Sequence, residues 1–201
     1  MKKKRLTAEQ RKLSIIEATI KVVARLNYDR ATTALIAKEA KINQALIYNH
    51  FESKQALQLS MLDHIRQTMS DNYETNPALS RRTQESSFLW AITVQFHSNL
   101  TAEEQQRSCV LQAMVAIDEN IRKKAWEIVR EDQEYIRTCL EQDYKTKFKD
   151  VQSDFEMMSW SVFAYNLLFT SLSIMGQADH IPKEKIYKSV QDFEKLILPD
   201  E

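Results

Sequence analysis

One glycine, Gly176, and three prolines serve all 201 residues, against usual frequencies of ~7% and ~5%. So little turn chemistry leaves no room for a meander of short strands and points to an all-α protein. The same scarcity limits catalysis, because phosphate-cradling loops, dinucleotide fingerprints and nucleophile elbows need two or more closely spaced glycines. Cysteine is also sparse: Cys109 and Cys139 stand far apart with no CxxC, which reads as two isolated core thiols in a reduced, cytoplasmic setting. No signal-like apolar stretch opens the sequence. His50, His64, His97 and His180 are scattered with no further His or Cys at ligand spacing, so neither a metal nor a cofactor is expected. No nucleophile–base or paired-carboxylate arrangement falls on one helix face, and an enzyme is not expected. Glu103-Glu104 and Glu131-Asp132 read as solvated acids.

What is present is a hydrophobic fraction of 43%, enough for a substantial core, and an uneven distribution of charge. Residues 1–56 carry twelve Lys/Arg against five acids, net +7, and the remaining 145 residues carry net −7. A basic head on an acidic body is the electrostatic footprint of a polyanion-binding module joined to something with another task. We therefore divide the chain into a head, residues 1–56 with a basic N-terminal arm, and a body, residues 57–201.

Helical periodicity runs through both parts. Thr7 with Gln10 forms a capping box, and Leu13, Ile16, Ile20 and Val23 recur at helical spacing up to about Leu26. Thr32 or Thr33 can cap a short second helix carrying Ile36, Ala37 and Ala40. After the break Lys41-Ile42-Asn43, a third runs from Gln44 to about His50. Ser53 caps a fourth, with Leu57, Met61, Leu62, Ile65 and Met69 on one face, which reads as a connector. Residues 72–82, polar and carrying Pro77, read as a loop. In the body, Phe88, Leu89, Ile92 and Phe96 mark one helix, and Thr101 caps another holding Val110, Leu111, Met114 and Val115. Asp118 caps a long one through Ile121, Ala125, Ile128, Ile136 and Leu140. A basic loop follows at residues 145–150. Ser153 with Glu156 opens a further helix, which Gly176 ends, and Pro182 opens the last, with Ile186, Val190, Phe193 and Ile197 on one stripe.

Two short helices joined by three residues and buttressed by a longer one have the layout of a helix-turn-helix, whose second helix enters the DNA major groove. Ile36, Ala40, Ile42, Ile47 and Phe51 can form the small core that fixes the angle between the pair. Gln44, Ala45, Tyr48 and Asn49 are then left facing outward. Gln and Asn pair bidentately with an adenine edge, Ala touches a thymine methyl, and Tyr stacks or reaches a phosphate. His50 and Lys54 could clamp phosphates on either side. The bland reading is that a short amphipathic helix with polar outer residues is common on any helical protein; charge segregation favours DNA.

Residues 11–57 resemble the DNA-binding head of TetR-type (tetracycline-repressor-like) regulators. The resemblance is carried by Tyr28-Asp29, Thr32, Ile36-Ala37, Ala40-Lys41-Ile42-Asn43, Ile47-Tyr48-Asn49-His50-Phe51 and Ser53-Lys54. It implies phosphate contacts by Thr33, Tyr48, His50 and Lys54, and base-edge contacts by Gln44, Ala45 and Asn49. Asn27 and Lys41 stand where the family usually has glycine, Asn43 replaces the usual Ser cap, and Ala45-Leu46 stands for the common Gly-Thr. Asn tolerates left-handed backbone and caps helices well; Lys41 is less comfortable there, though it adds a cation.

In the body, "WSVFAYNLLFTSLSIM" at residues 160–175 is apolar on every face and must be buried on more than one side. With Ser161, Asn166, Thr170, Ser171 and Ser173 inside, its sixteen residues fall short of the ~20 mainly apolar residues a membrane span needs. Burial against a second copy of the chain fits better, with the last helix completing a four-helix contact across a two-fold axis. The resemblance implies the same homodimer, presenting two heads to successive major grooves of a palindromic double-stranded operator. Trp90, Phe96, Cys109, Trp126, Tyr165 and Phe169, with Gln112 and Asn166 as orienting polar groups, could line a cavity for an uncharged or amphipathic small-molecule inducer. Each aromatic taken singly is also a plausible core residue. The expected function is a ligand-responsive transcriptional repressor. The alternative is a helical sensor or protein-interaction domain without operator binding.

Overall fold

The computed structural model describes residues 6–75, 118–147 and 154–174, together with Val110, Lys185, Lys188, Ser189 and Asp192. Among the described residues every regular element is an α-helix: α1 (Ala8–Leu26), α2 (Thr33–Glu39), α3 (Gln44–Tyr48), α4 (Lys54–Thr75), α5 (Glu119–Lys147) and α6 (Phe155–Ile174). The chain forms two compact units. The first holds residues 1–69 and 106–127, and the second holds residues 70–105 and 128–201.

Side-chain caps start the helices where the sequence places them. The Gln10 amide N–H donates to Thr7 Oγ1 at 3.2 Å and the Gln10 side chain accepts from the Thr7 N–H at 3.0 Å, so two otherwise orphaned donors are satisfied at the start of α1. Thr32 caps α2 by accepting from Leu35 N–H, which leaves Thr33 as the first residue inside the helix. Asn43 caps α3 through Ala45 N–H, and Ser53 caps α4 through Ala56 N–H. Asp118 accepts from the amides of Asn120 and Ile121 ahead of α5. For α6 the cap is Asp154, whose carboxylate accepts from Met157 N–H at 2.9 Å, rather than Ser153. A charged acceptor at a helix N-terminus also gains from the macrodipole, and Glu156 is freed to approach Arg130 at 3.9 Å.

Two helices run on into residues expected to be loop. Helix α4 continues to Thr75, through the polar start of the expected loop at 72–82, because polar composition does not by itself end a helix and the first breaker is Pro77. Helix α5 continues to Lys147, into the expected basic loop. There Glu141 accepts from Arg137 at 2.8 Å and from Lys145 at 2.6 Å, and such pairs four residues apart support the helix on its solvent side. The expected helices between residues 88 and 115 lie outside the described residues except for Val110, which is helical and buried. The apolar stripe of the last helix lies outside them too, while Lys185, Lys188, Ser189 and Asp192 are helical and exposed.

In the first unit, Ile15, Ile20, Val22 and Val23 of α1, Ile36 of α2, Ile47 of α3, and Leu57, Met61, Leu62 and Ile65 of α4 are all buried. Full burial of one such side chain contributes about 1.5–3 kcal/mol, and α2 packs on both α1 and α3. Helix α4 is tied to α1 by His64 Nε2, 2.7 Å from Glu17 Oε1. The turn after α1 adds a second tie through the Tyr28 hydroxyl, which donates to the buried Gln58 side chain. Residues from the start of α5 join the same unit: Gln55 donates to Asp118 at 3.1 Å and Lys124 lies 2.9 Å from Asp63.

The second unit buries Ile136, Leu140 and Tyr144 of α5 and Phe155, Met158 and Val162 of α6; the Tyr144 and Phe155 rings meet at 6.0 Å. A polar seam crosses between the two helices: buried Gln133 donates to the buried Ser159 hydroxyl at 2.8 Å, and that hydroxyl donates on to the Glu156 carbonyl at 2.7 Å. Asp132, expected in solvent, is buried. Its position explains this: it falls on the stripe of Ala125, Ile128, Ile136 and Cys139, so the helix turns it inward with them. Helix α6 is apolar all round but leaves Met157, Leu167 and Leu168 exposed, and no helix among the described residues is long and apolar enough to cross a membrane.

Candidate nucleic-acid interface

The surface that could meet DNA is built on a five-residue helix, too short to hold its own shape in water. Packing and the joints at either end must hold it. Asn27 ends α1 with φ 64°, and Lys41 turns the chain between α2 and α3 with φ 55°. These are the two positions where the family pattern has glycine, and both are left-handed. Asn occupies that region readily; Lys pays for it in backbone strain. Ile42 N–H then bonds back to Ala37 O at 3.0 Å, closing the turn against α2.

Beneath α3, Ile36, Ala37, Ile47 and Phe51 are buried, while Ala40 and Ile42 are half-buried at the margin. Lys12 of α1 sits under this wedge with its Nζ 5.8 Å from the Phe51 ring centroid; nothing in the sequence spacing marks it. Above the wedge, Gln44, Ala45 and Asn49 are exposed and Tyr48 is 50% exposed. His50 and Lys54 are half-buried. Lys54 holds its ammonium 5.2 Å above the Tyr28 ring and 3.5 Å from the Tyr28 carbonyl, so its stem is fixed before any ligand arrives. Burial first, then the nearby carboxylates of Asp118 and Asp29, push the Tyr28 phenol well above its ordinary range. Tyr28 therefore stays neutral and keeps its proton for Gln58.

The Thr33 hydroxyl, expected at a phosphate, has partners within the protein. It is 8% exposed, accepts from Gln44 Nε2 at 2.8 Å and lies 3.3 Å from the Tyr48 hydroxyl. Three of the expected contact residues are thus joined in one small network that links the start of α2 to the outer face of α3. Thr33 and Gln44 lie on two different helices separated by a turn, so a pattern read along one helix cannot find this bond.

Of the expected cavity residues, Trp126 belongs to the first unit and is 55% exposed, and Tyr165 belongs to the second and is also exposed. Trp90, Phe96, Cys109 and Gln112 lie outside the described residues. Asn166 and Phe169 fall on α6, with side chains outside the described set.

Residues 15–61 match the family described as bacterial regulatory proteins, tetR family. A helix-turn-helix transcriptional regulator of Bacillus subtilis, YuxN, itself uncharacterised, is 45% identical over 56 residues. That stretch is 28% of this chain and 19% of YuxN, so the chain spans about a fifth of this curated relative. Among solved structures, a transcriptional regulator from Saccharomonospora viridis in complex with choline has the same fold, with TM-score 0.73 at 15% identity over 97% of this chain and 100% of that one. So has the Bacillus subtilis regulator FadR in complex with stearoyl-CoA, with TM-score 0.69 at 16% identity over 90% of this chain and 95% of that one. The head therefore matches the tetR family over residues 15–61, and the chain as a whole shares the fold of these solved transcriptional regulators.

Proposed function

We propose that the protein is a homodimeric, ligand-responsive transcriptional repressor of the cytoplasm. Its head, residues 1–56, binds a palindromic double-stranded operator, and its body, residues 57–201, dimerises and binds a small-molecule inducer. The observation that carries this is the outer face of α3: Gln44, Ala45, Tyr48 and Asn49 are exposed above buried Ile36, Ile47 and Phe51. Base-reading groups are presented on a helix held from below. Net charge of +7 over residues 1–56 supplies the long-range attraction to phosphate. Half-sites one helical turn apart require two heads roughly 34–36 Å from each other, and the exposed apolar face of α6 supports the second copy that would supply the other head.

Release follows from linkage: an inducer that prefers the conformation with badly spaced heads lowers operator affinity by the ratio of its affinities for the two states. Ligands named with relatives of this fold, choline and stearoyl-CoA, differ so much in chemistry that the fold alone does not choose the inducer. A band-shift titration over salt tests the reading. An operator-binding dimer loses affinity with a log–log slope of about −0.9 per phosphate neutralised, and a folded protein whose weak binding ignores both salt and sequence overturns it.

A further inference from the structure

We infer that Thr33 is the positioning residue of the reading helix: acting through Gln44 and Tyr48, it fixes the order in which the Gln44 amide presents its donor and acceptor to the groove and so favours adenine at one base position. This rests on operator binding through α3. A threonine hydroxyl has one proton to give and lone pairs to accept with. Here it accepts from Gln44 Nε2 at 2.8 Å, and the partner in reach of its own proton is the Tyr48 hydroxyl at 3.3 Å. At 8% exposure, water competes poorly for either bond.

The consequence for recognition lies in the amide. In the proposed arrangement Gln44 gives Thr33 the N–H remote from its carbonyl oxygen. It keeps the other N–H, which runs alongside Oε1. That remaining edge, a donor beside an acceptor, complements the N7 acceptor and N6 donor of adenine. Turned over, the amide would accept from Thr33 and present the same two groups in reverse order, which no longer meet N7 of adenine with a donor and N6 with an acceptor. Tyr48 decides between the two. If its own proton goes to a phosphate, its lone pairs are left for Thr33, whose proton is then committed and whose oxygen can only accept from Gln44. A backbone contact that carries no sequence information thereby sets what the neighbouring side chain reads.

The test is selection of bound duplexes from a randomised pool by the full-length protein, followed by affinity ratios for adenine and guanine at the position where Gln44→Ala erases preference. Thr33→Val, matched in shape, is expected to cut the adenine-over-guanine ratio about tenfold while leaving preferences elsewhere in the site unchanged. Thr33→Ser is expected to restore the ratio, and Thr33→Val is expected to add nothing in a Gln44→Ala background. Should Thr33→Val fold poorly by circular dichroism, Tyr48→Phe, altered at an exposed hydroxyl, is expected to move the same ratio in the same direction. Equal weakening of all sequences by Thr33→Val, or effects that add independently to Gln44→Ala, would assign Thr33 a plain phosphate contact and overturn the inference alone. If the unaltered protein selects no duplex, operator binding itself fails and the inference falls with it.

Discussion

The five residues of α3 turn Ile47 inward and leave Gln44, Ala45 and Tyr48 in solvent together with the C-cap Asn49, whereas the twenty residues of α6 leave Met157, Leu167 and Leu168 60%, 45% and 46% exposed. Both surfaces are unfinished, in opposite senses. Polar groups on α3 are already hydrated, so exchanging water for base edges costs little in either direction and suits a partner that comes and goes. Leucines in water have no such reversible exchange: covering the exposed remainder of each contributes about 1 kcal/mol, which suits a lasting partner such as the second copy proposed above.

Separating the two surfaces is the strongest test of that contrast. Phe51→Ala removes a buried ring from the wedge under α3, a truncation that costs about 3–5 kcal/mol. The expected outcome is a melted head that no longer shifts operator duplex while the protein still sediments as a dimer; loss of the dimer as well would show that the two surfaces are not independent. Leu167→Lys with Leu168→Lys attacks the other side, and a rise of about a hundredfold in the dimer dissociation constant is expected from the lost apolar burial. Sedimentation velocity reads it, and an unaltered chain that is monomeric removes the contrast altogether. Gln133→Ala sharpens the description of the second unit by leaving the buried Ser159 hydroxyl without its donor, at a cost of about 1–3 kcal/mol in denaturant unfolding.

A smaller effect belongs to the solvent side of α5. Hydrogen bonding by Arg137 holds the Glu134 carboxyl below its ordinary range, and Lys145 first, then Arg137, do the same for Glu141. Groups whose folded value is depressed contribute stability that is complete above their unfolded value and is lost as pH falls through the folded one. Arg137→Met is therefore expected to lower stability slightly at neutral pH, to leave the most acid values unchanged, and so to flatten the acid limb that falls below roughly pH 5. Thermal midpoints across an acid series measure it.

Much of this was legible beforehand because it depends on short-range rules. Thr7, Asn43, Ser53 and Asp118 cap where their hydroxyl, amide or carboxylate oxygens reach amides two or three residues on, and the wedge of Ile36, Ile47 and Phe51 follows from helical period. Asp132 and the cap of α6 show where such rules slip: one acid was read by its charge instead of its place on the stripe, and at the other site Asp154 outranks its neighbour because a carboxylate caps better at a positive helix end. The Thr33–Gln44–Tyr48 network is of another kind. It joins two helices through an angle that only the packed wedge defines, so it becomes visible only in three dimensions.

Lys41 makes the joint between α2 and α3 do a second job. In a left-handed turn glycine would sit with less strain, yet it would surrender a cation next to the surface meant for a polyanion. Thermal endurance and grip on nucleic acid are then set against each other at one position. Lys41→Gly should raise the melting midpoint slightly and make duplex binding less sensitive to salt; a variant that gained in both respects would show that the lysine serves neither.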